Sequence, residues 1–408
     1  MRQPLCPPYR LRDVKRIWRG NHGLGRGSLQ LYEYWVYRFA RYCYAHSLDQ
    51  RSGLTQLGAE QFARWWRSQG SRRRGDLKEA IRGSRMALRA WAFALSMLGE
   101  SIPPWSPPRV APMRDPRLGA FADYLREVRG NPPQTIHKKL AELTAFDHYR
   151  QRLSAAERPI RLSEIDTYVI ACRRRFARKT VASICSTIRS YLRFLHATGE
   201  IDTDLATSVM APIVRTAERP HRALPWADVQ RILRAVDLTS PKGRRDYALL
   251  LMMSVYGLGA GEVIRIRLED IDWQAAKLRI VRPKTGAVFH LPLLPAVARA
   301  LVDYLRHGRP AYTPARHLFV TVQVPFKPLA CSTTVRWILH SAAYRAGVTA
   351  AFLGTHALRH THACRQLELG TPPKIIGDIL GHRDPQSTSA YLRVASERLR
   401  ELSLPVPV

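Results

Sequence analysis

Two proline-rich stretches cut this 408-residue chain, because no helix or central strand runs through them. They are Ile102-Pro103-Pro104-Trp105-Ser106-Pro107-Pro108 and the region from Pro212 to Pro225. Proline fixes φ, removes a backbone donor and pushes the preceding residue out of the helical region, so both stretches read as linkers. The length also exceeds what one hydrophobic core usually holds. Three segments are expected: a helical module over 1–108, a second over 109–219, and a larger domain over 220–408.

The first two segments repeat one pattern. In the first, Leu54-Thr55-Gln56-Leu57 leads into Phe62-Ala63-Arg64-Trp65-Trp66, and a long helix from about Leu77 to Leu98 ends at Gly99-Glu100. In the second, Leu162-Ser163-Glu164-Ile165 leads into Tyr168 to Cys172, and a helix from about Lys179 to Ala197 ends at Gly199-Glu200. The order is capped helix, basic turn, long helix. Val181, Ile184, Ile188, Tyr191, Leu192 and Leu195 recur at three- and four-residue steps and make one apolar face, with Arg189 and Arg193 off it. Trp65, Trp66 and Trp91 read most simply as core.

Each basic turn is an arginine cluster: Arg72, Arg73 and Arg74 in the first module, and Arg173, Arg174, Arg175, Arg178 and Lys179 in the second. A helix N-terminus already carries partial positive charge, so cations there repel unless an anion lies between them. Phosphate contacts explain the clusters better than a solvated charge run does, and such contacts position a protein without reading sequence. The whole chain agrees: 65 Lys and Arg against 32 Asp and Glu give a formal charge of +33, and the excess runs through both halves. A polyanion neutralises such a body, and double-stranded DNA is the expected partner. The six cysteines form no Cys-x-x-Cys pair, and no apolar signal or membrane span is read. A cytoplasmic, nucleoid-associated bacterial protein is expected, without membrane, metal or cofactor.

The third segment mixes helix and strand. Asp246 to Tyr256 is a nearly all-apolar helix stopped by Gly257, hence buried. Lys277–Val281 and Val288–Leu293 read as a hairpin around Pro283-Lys284-Thr285-Gly286, and helix is expected from there to about Leu402. His356 and Arg359 stand three apart on one helical face, where both reach a single phosphate. Helices end at Gly370 and at Leu380-Gly381, His382 follows, and Asp384-Pro385 opens a helix carrying Tyr391. His356, His360, His362 and His382 also admit a zinc reading, but neither the glutamate of His-Glu-x-x-His nor a nearby cysteine or carboxylate completes a set. Tyr391 alone could be a core aromatic, and Lys284 an ordinary charged hairpin tip.

Together, His356-x-x-Arg359, Leu380-Gly381-His382 and a tyrosine nine residues beyond that histidine resemble the signature of the tyrosine recombinase (phage integrase) family. The resemblance covers the third segment, and residues of roughly 116–215 look like the family's core-binding module. It implies a mainly α fold with a small β-sheet in the catalytic domain (α+β): helical N-terminal DNA-binding modules, the second SAM-like and the first a duplicate of it, followed by a tyrosine-recombinase-like catalytic domain. It implies site-specific DNA recombination and integration through a 3′-phosphotyrosyl link, with no ATP or metal because the broken bond's energy stays in the adduct. Tyr391 is then the nucleophile and His356 the proton-transfer group. Arg359 and His382 hold the non-bridging oxygens, and Lys284 protonates the leaving hydroxyl. Assembly on DNA as a homo- or hetero-oligomer, dimer to tetramer, is implied as well, with the chain end docking on a neighbour.

One position departs from the family. Where the family places its first catalytic arginine, in a Gly-Leu-Arg-x-x-Glu context, this chain reads Gly257-Leu258-Gly259-Ala260-Gly261-Glu262. Glu262 keeps its supporting place and Gly259 stands for the arginine. Losing one such donor costs on the order of 10²–10³ in rate, which leaves open an impaired enzyme, a non-catalytic DNA-binding partner of an active recombinase, or a deliberately altered sequence. Arg265 and Arg267 are expected on a helix leading away from the pocket.

Overall fold

The computed structural model describes residues 7–20, 24–69, 76–106, 115–153, 159–214, 223–283 and 286–381. The described residues are mainly helical and include one three-stranded antiparallel sheet. It divides into two compact units: Arg109–Pro220 forms one, and Met1–Pro108 joins His221–Val408 in the other.

The chain begins with four helices, α1 (Leu11–Arg19), α2 (Arg26–Ala45), α3 (Gln56–Ser68) and α4 (Leu77–Met97). Their core is aromatic: Phe39, Phe62 and Trp91 are fully buried, and Phe39 meets the other two edge to face at centroid distances of 5.4 and 6.2 Å. Such pairs add to plain area burial. Trp65 and Trp66 pack at the edge of this core. The Arg109–Pro220 unit follows with α5 (Pro116–Glu127), α6 (Pro133–Arg152), α7 (Leu162–Arg173) and α8 (Arg178–Ala197). All six residues of the expected α8 face are buried, Arg193 is exposed, and Arg189 donates to the Val209 carbonyl at 2.8 and 3.0 Å.

The two sets close alike. After α4, Gly99 adopts φ 83, with the Glu100 N–H on the Leu95 carbonyl and the Gly99 N–H on that of Ser96. After α8, Gly199 adopts φ 74, with Glu200 on Leu195 and Gly199 on His196. Both are Schellman endings, in which a left-handed residue lets two amides satisfy the last carbonyls. The openings differ from expectation. Thr55 caps α3, accepting from the Gly58 N–H at 3.0 Å, but α7 is preceded by Arg161, which gives no side-chain cap, and Ser163 is the second residue of the helix.

The rest of the larger unit is built on α9 (Trp226–Arg234), α10 (Pro241–Tyr256), the short α11 (Ala260–Val263), strands β1 (Ile271–Asp272), β2 (Lys277–Val281) and β3 (Val288–Pro292), then α12 (Pro295–His307), α13 (Ser332–Arg345), α14 (Thr355–Glu368) and α15 (Pro373–Leu380). Strand order is β1-β2-β3, with Lys277 opposite Pro292 and Val281 opposite Val288. Helix α10 is buried nearly all round, including Arg245 and Asp246, which pair at 2.6 Å while Arg245 also donates to Val320. A buried pair that satisfies its remaining donors avoids the cost of lone charges. Helix does not run on from the sheet as expected: between His307 and Ser332 the chain is irregular, held by bridges Arg267–His317 and Val320–Pro328. This stretch meets the first four helices, with Phe326 and Phe93 of α4 edge to face at 5.5 Å and Val324 against the same core. Among the described residues, no helix is long and apolar enough to cross a membrane.

Candidate active site

Three chain turns meet at one carboxylate. Helix α10 ends at Gly257, whose left-handed φ of 63 lets the chain reverse at once; a Cβ there would strike His362 and Leu380. The reversal places Gly259 at the start of α11, where its N–H donates to Glu262 Oε2 at 2.7 Å. Glu262 is thereby fixed, 9% exposed, facing the middle of α14.

From α14, Arg359 closes on that carboxylate. Its Nη1 lies 3.0 Å from Glu262 Oε2 and donates to the Gly257 carbonyl at 3.1 Å, and its Nη2 donates to the Leu380 carbonyl. Leu380 ends α15, where the last carbonyls lack helical partners and the helix dipole favours a cation. Gly381 then turns left-handed, with φ 64. The expected helix end at Leu380-Gly381 is where the chain needs it, since the same carbonyls that finish α15 hold the arginine.

A second guanidinium, which no motif marks, shares the cluster. Arg282 Nη1 lies 3.4 Å from Glu262 Oε1 and donates to the Leu380 carbonyl, Nη2 donates to Ile379 at 2.6 Å, and the guanidinium carbon stands 4.3 Å from the Phe289 ring centroid. Burial pushes its pKa down, Glu262 pulls it back up, and Arg359 lowers it further. A sequence signal for it exists all the same. In β2 the buried residues are Leu278 and Ile280, and continuing that alternation puts Arg282 on the inward face. Glu262 thus lies between two arginines that are nearly as buried as it is. Among the described residues, one negative charge stands against two positive ones, which leaves a cation in a partly desolvated place that an anion would neutralise.

His356, the other member of the expected pair on α14, is exposed, with its ring 6.4 Å from that of His360. His362 turns the other way into the core, its Nδ1 3.3 Å from the Ser254 carbonyl, and burial pushes its pKa down. Among the described residues, no group of three or more metal-ligating side chains gathers. Arg265 and Arg267 are not on a helix: α11 stops at Val263, and Arg267 pairs with Glu269 at 2.7 Å. Tyr391, His382, Lys284 and Arg72, Arg73 and Arg74 lie outside the described residues. Arg173, Arg174, Arg175, Arg178 and Lys179 are all exposed, and among the described residues none pairs with a carboxylate. Another basic feature carries a sequence signal, four- and three-residue steps along one helix, that the motifs did not mark. Lys78, Arg82, Arg85 and Arg89 fall on one side of α4, along a concavity of about 580 Å³ that Trp105 and Val324 also line.

Comparison with known proteins gives a consistent result. The model of the phage integrase family matches residues 222–398. An integrase/recombinase of Sinorhizobium fredii, y4rF, is 33% identical over 298 residues, 71% of this chain and 69% of the relative. Tyrosine recombinase XerD of Shewanella oneidensis is 26% identical over 291 residues, covering 71% of this chain and 95% of that protein. Among solved structures, a lambda integrase (75–356) dimer bound to a COC′ core site superposes with a TM-score of 0.53 at 19% identity, over 68% of this chain and 94% of that one. XerH recombinase bound to a palindromic difH substrate gives 0.54 at 12% identity, over 86% and 96%.

Proposed function

This chain belongs to the phage integrase family of tyrosine recombinases, and from that premise we propose that it cuts and rejoins duplex DNA at specific sites through a covalent link on Tyr391. The observation that carries the reading is the clamp of Arg359 on Glu262 and on the last carbonyl of α15, one residue before Gly381-His382. It fixes a planar, always-charged donor next to the segment that holds the remaining signature residues.

Chemically, the Tyr391 oxygen attacks the phosphorus of one phosphodiester and the 5′ oxygen departs, leaving a 3′-phosphotyrosyl bond. Attack by a 5′ hydroxyl of another strand reverses the step and frees the tyrosine. A phenol with an unperturbed pKa near ~10 needs help to attack at neutral pH. His356 takes the proton, and Lys284 gives one to the leaving oxygen. Arg359 and His382 hold the non-bridging oxygens as charge grows on them, the kind of preorganised stabilisation that contributes most in a water-poor site. Glu262 orients Arg359 and touches no substrate.

The division into 1–108, 109–219 and 220–408 belongs to the same reading, with the first two parts gripping DNA. The exposed Arg173, Arg174, Arg175, Arg178 and Lys179 suit phosphate contacts, as Arg72, Arg73 and Arg74 do from sequence. Lambda integrase is known as a dimer on a core site and as a tetramer on a Holliday junction, and assembly of this chain on DNA as a dimer to tetramer is part of the proposal. The glycine at 259 favours a second reading, a DNA-binding subunit that assists an active partner. A nicked suicide duplex, carrying the sequence that the protein selects from a randomised pool, separates the two. The first reading expects a protein–DNA adduct that Tyr391→Phe abolishes; no adduct with the unaltered chain supports the assisting subunit.

A further inference from the structure

We infer that Arg282 supplies the guanidinium missing at position 259, binding the scissile phosphate beside Arg359. The inference rests on the phosphoryl-transfer reading above and adds a residue to it.

Gly259 is not required by its backbone. Its φ of −73 and ψ of 153 suit any residue, and a Cβ there would make ordinary contacts, 3.4 Å from Glu262 Oε2 and 3.8 Å from Arg359 Nη1. A side chain at 259 would therefore enter the cluster at the Oε2 side of Glu262. The other oxygen, Oε1, is taken by Arg282, arriving from the end of β2. A carboxylate with two oxygens can orient two guanidinium groups, and this one does so with a different second arginine.

The two arginines are held alike. Both donate to the Leu380 carbonyl, both reach Glu262, and their side chains are 9% and 14% exposed for Arg282 and Arg359. Among the described residues, the contacts of each use three of its five guanidinium N–H groups or fewer. Arg282 also lies two residues before Lys284, the expected proton donor, in the sequence. Among the described residues, two arginines share a single carboxylate, which leaves positive charge for a phosphate oxygen to take up.

The test uses the full chain and the nicked duplex already described. Arg282→Ala should slow adduct formation by roughly 10²–10³, the range for loss of one transition-state donor. Gly259→Arg combined with Arg282→Ala should recover at least about tenfold of that loss, because the new side chain enters the same cluster from the other oxygen of Glu262. Recovery separates phosphate binding from folding, since an arginine at 259 does not restore a clamp on Ile379. Unchanged adduct formation in Arg282→Ala overturns the inference. So does a loss that Gly259→Arg leaves unrepaired. A second measurement needs no cleavage: in a Tyr391→Phe background, neutral methylphosphonates are scanned one position at a time across the bound duplex. The unaltered pocket should show one position where removing the charge weakens binding, and Arg282→Ala should shrink that penalty; a penalty of unaltered size overturns the inference. Absence of any adduct with the unaltered protein counts against cleavage alone, because this scan still decides on Arg282.

Discussion

The four helices of residues 7–106 and the four of residues 115–214 follow one plan, yet their long last helices use the outward face differently. Helices α4 and α8 bury equivalent stripes, with Leu88, Trp91 and Leu95 in one and Ile188, Tyr191 and Leu195 in the other, and both end in the same glycine turn. One hundred residues apart, Phe93 packs edge to face on Phe326 while Arg193 is exposed. Helix α4 lines a concavity with Lys78, Arg82, Arg85 and Arg89, whereas α8 gathers Arg178 and Lys179 at its start and gives Arg189 to a backbone carbonyl. The buried stripe and the turn are what the two sets share. The remaining face is free to be recruited, in one case for docking within its own unit and in the other for exposed charge.

The largest effect expected from this difference comes from placing a carboxylate on each helix. Phe93→Asp puts an unpaired charge against Phe326 and should cost about 3 kcal/mol, seen as a lower denaturation midpoint and early proteolysis within residues 1–108. Arg193→Asp should stay within about 0.5 kcal/mol. Equal costs would mean that the two faces are not used differently.

A smaller effect is expected in DNA binding. Replacing Lys78, Arg82 and Arg89 with alanine should lower the slope of log affinity against log salt by about 0.9 for each phosphate that is no longer neutralised. Arg178→Ala with Lys179→Ala should do the same from the other helix. A slope that only the second pair changes would make the α4 stripe a solvated face.

The smallest difference should appear in acid. Glu100 is held below the usual carboxylate range, first by hydrogen bonding from Arg10, so its contribution is present above the unfolded value and is lost as pH falls through the folded one. Asp147 is pushed up, first by burial and then by Asp115, so it favours folding most when protonated, and that contribution is lost as pH rises through its folded value. Denaturation midpoints between about pH 3 and 7 should therefore respond in opposite senses to Glu100→Gln and Asp147→Asn, the first destabilising at neutral pH and the second stabilising there. The same sign for both would remove the contrast.

Much of the architecture was written locally. Gly99, Gly199, Gly257 and Gly381 end helices because a residue without Cβ tolerates the left-handed turn, and the three- and four-residue spacing of Val181 to Leu195 marks a buried stripe before any partner is known. His356 and Arg359 share a helix face by arithmetic, although one proved exposed and the other clamped. The expected cap of α7 is absent because serine and glutamate look alike whether they precede the helix or already stand in its first turn, as Ser163 and Glu164 do. Helix was expected through 308–331 because short bridged loops have no periodic signature.

What no local pattern could supply is the company a side chain keeps. Arg282 belongs to the site because a carbonyl 98 residues further on and a carboxylate 20 residues earlier come to meet it. Its strand alternation told only that it faces inward. Local steric and hydrophobic preferences fixed where helices start, stop and hide a face, since those depend on neighbours within a turn or two. Which charges share one buried carboxylate depended on the closing of the whole chain, because desolvation and pairing act between groups that only folding brings together.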